Sequence, residues 1–218
     1  KNRLIVLTPA IVEEDLLLVD GRLQSDIRHQ WKRSEFVGAP AIGTIGVSAV
    51  DADESDAVWM TVTDYLSPTA LLLADIGKQP EQLKTMPAFF DSSKHVVEQH
   101  FATSKDGTKV PYFLVRAKDI TLDGSNPTLL YGYGGFEVSM TPGYSGGVGM
   151  GWLEKGGVYA VANIRGGGEY GPRWHQAALK QNRHKAYEDF AAVAQDMITR
   201  GITSPKHLGI QGGSNGGL

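Results

Sequence analysis

Leu208-Gly209-Ile210-Gln211-Gly212-Gly213-Ser214-Asn215-Gly216-Gly217-Leu218 is the stretch whose reading decides the fold. It opens on a short apolar run of strand length, and Gly212-x-Ser214-x-Gly216 is the G-x-S-x-G pattern of a serine at a sharp strand-to-helix turn. A serine there sits in a strained backbone conformation. The residues two before and two after it must lack a Cβ so that strand and helix can crowd together. Such a turn exposes the Oγ at the N-terminus of a helix, whose free amides favour developing negative charge. The plainer reading is a glycine-rich surface loop, in a chain with 27 glycines among 218 residues. What precedes the serine decides between the two.

Working back, the spacing predicts a helix from about Arg183 to Arg200. Ala186, Phe190, Val193, Ala194, Met197 and Ile198 recur at steps of three and four and make one apolar face. Asn182 is placed to cap this helix and Gly201 to end it. Ahead of it, Gly157-Val158-Tyr159-Ala160-Val161-Ala162-Asn163-Ile164 and Pro127-Thr128-Leu129-Leu130-Tyr131-Gly132 read as buried strands. Near-continuous apolar strands alternating with a helix imply a parallel sheet covered on both faces. Earlier still, the runs at 100–104 and 109–115 flank Lys105-Asp106-Gly107-Thr108. Asp-Gly between apolar runs is a strong hairpin signal, because glycine accepts the positive φ of a tight turn. A hairpin, then parallel strands, then a strand–serine–helix turn is the order of an α/β-hydrolase sheet.

Up to Met86 the rhythm differs. Short apolar runs occupy 3–8, 15–20 (closing on the turn signal Asp20-Gly21), 44–50, 57–63 and 69–75, with a weaker one at 82–86. Asp51–Asp56, Ser67-Pro68 and Gly77–Pro80 separate the later ones. The last four runs fit in just over forty residues, the size of one β-propeller blade, and the first forty can hold part of another. A plain antiparallel sheet fits the same pattern. The expected division is residues 1–86 as the C-terminal blade or blades of a propeller, and 87–218 as the N-terminal part of an α/β-hydrolase domain. Residues 87–97 read as a mixed polar and aromatic connection.

The bulk numbers exclude several functions. A net charge of −3 gives no electrostatic case for nucleic acid or an anionic membrane as partner. No apolar run approaches the roughly 20 residues that span a bilayer, so a soluble protein is expected. The absence of cysteine removes disulfides, thiolate catalysis and zinc–thiolate sites, and fits a cytoplasmic location while leaving periplasmic or secreted ones open. Neither a metal nor a cofactor is expected. Lys1 is not a start methionine, and Leu218 falls inside the first turn of the helix that should follow Ser214, so the sequence reads as a middle piece of a longer protein.

Acyl transfer needs a nucleophile, a base and donors for the tetrahedral oxyanion. Ser214 is the candidate nucleophile, and the backbone N–H of the next residue, Asn215, is one donor in this fold. The second donor comes from the loop after the third strand, here Tyr133-Gly134-Gly135-Phe136. The Tyr133 hydroxyl can serve, and the paired glycines after it favour that role over an aromatic packed at a strand end. The base is missing. His29, His95, His100, His175, His184 and His207 all precede the serine, whereas the hydrolase order is serine, then an acid, then histidine. None of the six is therefore read as the base. Gly166-x-Gly168-x-x-Gly171 also matches the dinucleotide fingerprint, but Pro172 follows at once and Glu188 and Asp189 fall on the predicted helix rather than at a strand end. A nucleotide site is not expected there. Arg165 and Glu169, at the sheet's carboxyl edge, read equally as substrate contacts or as loop structure.

Leu130-Tyr131-Gly132-Tyr133-Gly134-Gly135-Phe136, Ala162-Asn163-Ile164-Arg165-Gly166-Gly167-Gly168-Glu169-Tyr170-Gly171, Thr203-Ser204-Pro205 and Gly212–Leu218 together resemble the prolyl oligopeptidases, serine peptidases of the S9 family. Ser104-Lys105-Asp106-Gly107-Thr108 resembles the start of their hydrolase domain. The likeness is specific from about Gln99 onward and looser before. It implies a seven-bladed propeller capping an α/β-hydrolase, and cleavage of short peptides on the carboxyl side of proline. It also implies Ser214 as nucleophile, Tyr133 and the Asn215 amide as oxyanion donors, and Phe136 and the Asn215 side chain in the pocket around the substrate proline. The family's aspartate, histidine and proline-stacking tryptophan would lie beyond Leu218, so residues 1–218 alone are expected to be inactive. Gly-Gly-Ser-Asn-Gly-Gly resembles the prolyl branch more than the oligopeptidase B branch. Two rivals stand beside the peptidase: a non-catalytic, propeller-bearing interaction protein, and a serine hydrolase of other specificity. Oligomeric state is left open.

Overall fold

The computed structural model describes residues 3–6, 17–20 and 32–218, with side chains from Phe36 onward. The chain divides into two compact units, one up to Pro87 together with Thr141–Tyr144, the other Ala88–Met140 together with Ser145–Leu218.

In the first unit, β1 (Arg3–Val6), β2 (Leu17–Asp20) and β3 (Lys32–Glu35) form an antiparallel sheet in chain order. β1 and β2 fall on two expected runs. Leu7, Thr8, Asp15, Leu16, Gly21 and His29, on which parts of those expectations fell, lie outside the described residues. β4 (Thr44–Ala49), β5 (Ala57–Thr63), β6 (Ala70–Asp75) and β7 (Glu81–Thr85) form a four-stranded antiparallel meander, again in chain order. β5 shows the two-residue period of a strand with one covered face, Val58 and Met60 inward, Trp59 and Thr61 outward. Val58, Met60, Phe36 and Ala74 form the buried centre of this sheet's core. The turn into β5 is fixed by Asp51, whose Oδ1 accepts the backbone N–H groups of Asp53 and Glu54.

The second unit carries the mixed sheet. β8 (His95–Thr103) and β9 (Lys109–Ala117) pair as a hairpin, with the Ser104 N–H on the Thr108 carbonyl at 2.8 Å. β8 begins five residues before the expected run, because it pairs with β9 from His95–Ala117 to Thr103–Lys109. The polar residues of that first half had masked it as a connection. Then follow β10 (Thr128–Gly132), α1 (Gly146–Gly151), β11 (Val158–Ala162), α2 (Pro172–Gln176), α3 (His184–Thr199) and β12 (Leu208–Gln211). The sheet order is β12-β10-β11-β9-β8, with β10 parallel to both β11 and β12 and β9 antiparallel to β11. This is the expected hairpin followed by parallel strands.

α3 lays Ala186, Val193 and Met197 into a core shared with Tyr112, Leu114, Leu130 and Ala160. Phe190 and Ala194 pack partly buried against it. Full burial of a valine or methionine contributes about 1.5–3 kcal/mol. An i,i+4 ion pair on a solvent-facing helix surface contributes only about 0.3–0.5 kcal/mol. The apolar stripe therefore holds the helix on the sheet. Phe113 and Val115, alternating with Tyr112 and Leu114, are buried too, so β9 is covered on both faces.

The helix ends differ from one another. Asn182 does not cap α3; it closes a separate 3-10 turn, Lys180–Asn182, and Arg183 holds the N-cap position without a side-chain capping bond to the helix. Gly201 does end the helix. At φ 72 it passes the chain through the left-handed region, with its N–H on Ile198 O and the Ile202 N–H on Met197 O, each at 3.0 Å. Among the described residues, no helix is long and apolar enough to cross a membrane.

Candidate active site

β10 and β12 are parallel neighbours with Tyr131 opposite Gln211, so the turns that follow them leave the same sheet edge side by side. The first is Tyr133–Phe136, the second Gly212–Gly217. Ser214 is exposed, has φ 51, and opens a 3-10 turn, Ser214–Gly217. The glycines beside it are required by shape. A Cβ on Gly212 would collide with the Gly216 carbonyl, and one on Gly216 with the carbonyl of Gly132. The turn is thus drawn tight against the end of β10.

The two turns are also fastened to each other. Asn215 Nδ2 donates to the Tyr133 carbonyl at 2.7 Å, and a Cβ on Gly135 would overlap that same amide. The Asn215 side chain therefore faces the Tyr133 turn, and its Oδ1 is what remains for other contacts. Phe136 projects from this turn, 75% exposed, and both it and Glu137 take positive φ (52 and 57). Two successive non-glycine residues in that region are uncommon and need support from their surroundings. Part of that support is His175 on α2: its Nδ1 lies 2.6 Å from the Gly166 carbonyl and 3.1 Å from the Glu137 nitrogen, and its tautomer decides whether it donates to the first or accepts from the second. A cavity of about 360 Å3 beside these turns is lined by Tyr133, Ile164, Phe190, Asn215 and Leu218 among others.

The loop after β11 is the third component. Arg165 is buried and grips two carboxylates. Its Nε and Nη2 donate to Asp189 at 2.9 and 2.6 Å, and its Nη1 and Nη2 to Asp106 at 2.6 and 3.2 Å. Asp189, fully buried on α3, also accepts the Arg165 N–H and the Ser104 hydroxyl. The hydrogen bonds from Arg165 hold the Asp106 carboxyl well below the usual carboxylate range, and Asp189 in turn raises the guanidinium pKa. Glu169 is the opposite case. It is buried with Oε1 accepting the Met140 N–H (3.0 Å) and the Asn163 amide (3.3 Å), while Oε2 has no hydrogen-bond partner among the described residues, and burial pushes its pKa up. Both Arg165 and Glu169 thus serve the loop.

The glycines of the 166–171 stretch have a packing use. A Cβ on Gly166 would strike the Gly134 carbonyl, and one on Gly168 the Glu137 carbonyl, so this loop lies directly on the Tyr133–Glu137 loop. α2 starts only after Gly171, and Asp189 is engaged by Arg165. Among the described residues no group of three or more His, Asp or Glu side chains is placed to hold a metal ion. His184 and His207 are exposed at the ends of elements. Asp189 and Arg183 went unanticipated from the sequence. The signal for Asp189 was an acid in register with Ala186 and Val193 on the apolar face.

Residues 147–218 match the profile of the prolyl oligopeptidase family. The chain belongs to that family. An uncharacterized peptidase of Sinorhizobium fredii is 55% identical over 180 residues, covering 82% of this chain and 25% of that protein. The structure of a post-proline cleaving enzyme from Rickettsia typhi matches with a TM-score of 0.79 and 35% identity, over 100% of this chain and 32% of that one. Oligopeptidase B from Trypanosoma brucei matches with a TM-score of 0.77 and 29% identity, over 92% and 29%. The chain spans about a quarter of the length of the curated relatives it matches. Within the prolyl oligopeptidase match lie the Arg165–Asp189 cluster and the Ser214 turn; Tyr133 precedes it.

Proposed function

We propose that the whole protein is a serine endopeptidase that cleaves short peptides on the carboxyl side of proline through an acyl-enzyme on Ser214. The observation that carries this reading is Ser214, exposed at φ 51 in a turn that glycine sterics force against the Tyr133 turn. A base supplied from outside residues 1–218 would take the Ser214 proton as Oγ attacks the scissile carbonyl. The Tyr133 hydroxyl and the Asn215 N–H would hold the oxyanion, the amine would leave with the proton, and water would then release the acyl group by the same path. The exposed Phe136 ring, with Asn215 Oδ1, would line the proline pocket. Residues 1–86 would contribute the last blade or blades of a propeller that admits only small peptides, and 87–218 the first part of the hydrolase. The four-stranded meander and the structural match that runs over 100% of this chain support that division.

The test is a fluorophosphonate probe on the whole protein. It should label Ser214 and fail on Ser214→Ala; labelling that survives the substitution rejects the nucleophile, and absence of labelling in the parent favours an interaction protein. Tyr133→Phe should lower kcat by roughly 10²–10³-fold, as loss of one oxyanion donor does elsewhere. A proline-containing peptide should be cut in preference to one with a basic residue at the cleavage position. The reverse preference would place the protein with oligopeptidase B. Residues 1–218 alone should not hydrolyse either.

A further inference from the structure

The Tyr133 turn offers two successive backbone carbonyls, and each is taken by a side chain from elsewhere. Tyr133 O accepts from Asn215 Nδ2, and Gly134 O accepts a close hydrogen bond from Arg183 Nη1. Gly134 sits at φ 57 with its Cα against Ile164, where an added Cβ would lie 2.5 Å from Ile164 Cγ1. The turn is therefore pinned from both sides at the point that aims the tyrosine.

Arg183 is suited to hold rather than to pair. Its guanidinium lies over the Tyr187 ring, 5.4 Å from the ring centre and one turn along α3, within cation–π range. No ion pair among the described residues uses it. It also sits where the 166–168 loop passes, since a Cβ on Gly166 would come within 3.1 Å of Nη1. A half-buried cation whose Nη1 donates to a backbone carbonyl, with no carboxylate paired to it among the described residues, has a positional task. We propose that Arg183 is a positioning residue which sets the Tyr133 hydroxyl by fixing the Gly134 peptide; this rests on the reading of Tyr133 as an oxyanion donor. An interaction felt only as the oxyanion forms lowers kcat and leaves KM alone.

The experiment is a double-substitution cycle in the whole protein with a proline-containing peptide. Arg183→Met, which keeps the stem and removes the donors, should lower kcat about 10- to 100-fold with KM little changed, the range expected of a misplacement near 1 Å. Arg183→Lys, which keeps one charged donor, should recover part of it. In a Tyr133→Phe background Arg183→Met should have no further effect, because the hydroxyl it places is gone. Effects that multiply across the two sites, or an unchanged kcat, overturn the proposal. Amide exchange separates this from failure of the peptidase reading. Arg183→Met should speed exchange at Gly134–Phe136 whether or not the parent is labelled at Ser214. Unchanged exchange there overturns the holding role itself, and an unlabelled parent with faster exchange overturns only its catalytic purpose.

Discussion

Between Gly212 and Gly217 the chain contains no charged side chain, whereas Arg165–Gly171, leaving the same sheet edge from β11, is built on a buried arginine and a buried glutamate. The Ser214 turn is held by contact: glycines that leave no room for a Cβ, and one amide on the Tyr133 carbonyl. The Arg165 loop is held by electrostatics, through a guanidinium shared by Asp106 on the hairpin turn and Asp189 on α3. On the reading proposed above, a hydroxyl that must stay exposed and reactive gains from a turn that carries no charged side chain of its own. A scaffold that must stay put gains from multidentate bonds away from water, where they are strongest.

If the comparison holds, damage to each region has a different signature. Gly212→Ala should have the largest effect. Its Cβ collides with the Gly216 carbonyl, so Ser214 cannot keep φ 51, and probe labelling should fall to the level of Ser214→Ala. Amide exchange in 163–169 should be unchanged. A labelled Gly212→Ala protein would show that the turn is not moulded by sterics.

Asp189→Ala comes next. It leaves Arg165 buried with Asp106 as its remaining partner, and breaking one side of a buried pair costs about 3–5 kcal/mol. The loss should appear in urea unfolding of the whole protein and as faster amide exchange at 163–169. A variant of unaltered stability would mean that the loop is held by packing after all.

Acid separates the regions without substitution. Arg165 holds the Asp106 carboxyl below its ordinary value of 3.8, so the stability it lends is present above that pH and is lost as pH falls below it. The turn from Gly212 to Gly217 has nothing to titrate. Exchange at 163–169 should therefore quicken below pH 3.8, and Asp106→Asn should flatten that dependence. Equal acid sensitivity in both regions would remove the distinction.

The sequence disclosed the contact-held region better than the charge-held one, for a physical reason. Local sterics are written in adjacent residues, so Gly212-x-Ser214-x-Gly216 and Gly134-Gly135 announced where the backbone had to be close. Arg165, Asp106 and Asp189 lie 59 and 24 residues apart, and only the fold brings them together. The same limit hid Arg183, whose bond to Gly134 spans 49 residues. The hairpin, the parallel strands and the apolar face of α3 were legible because each has a local signature: Asp106-Gly107 at a tight turn, short near-continuous apolar runs, and apolar residues at steps of three and four. The start of β8 was not, because its first residues gain their strand character from pairing with β9.

Within the charge-held loop a finer contrast remains, and it predicts the smallest effect. Glu169 lies four residues from Arg165 in the chain, yet burial without a cation raises its pKa where Asp106 is lowered. The sign is opposite as well. A carboxyl whose folded pKa exceeds the ordinary 4.5 binds its proton more tightly in the folded state, so stability falls as pH rises from 4.5 through the raised value. Glu169→Gln keeps an oxygen for the Met140 N–H and carries no charge to bury. It should be neutral or stabilising by about 1 kcal/mol at neutral pH, within the range of ordinary single substitutions, and should abolish the decline above pH 4.5. Loss of stability at neutral pH would mean that the ionised carboxylate is wanted, with Oε2 meeting a donor that the folded chain supplies.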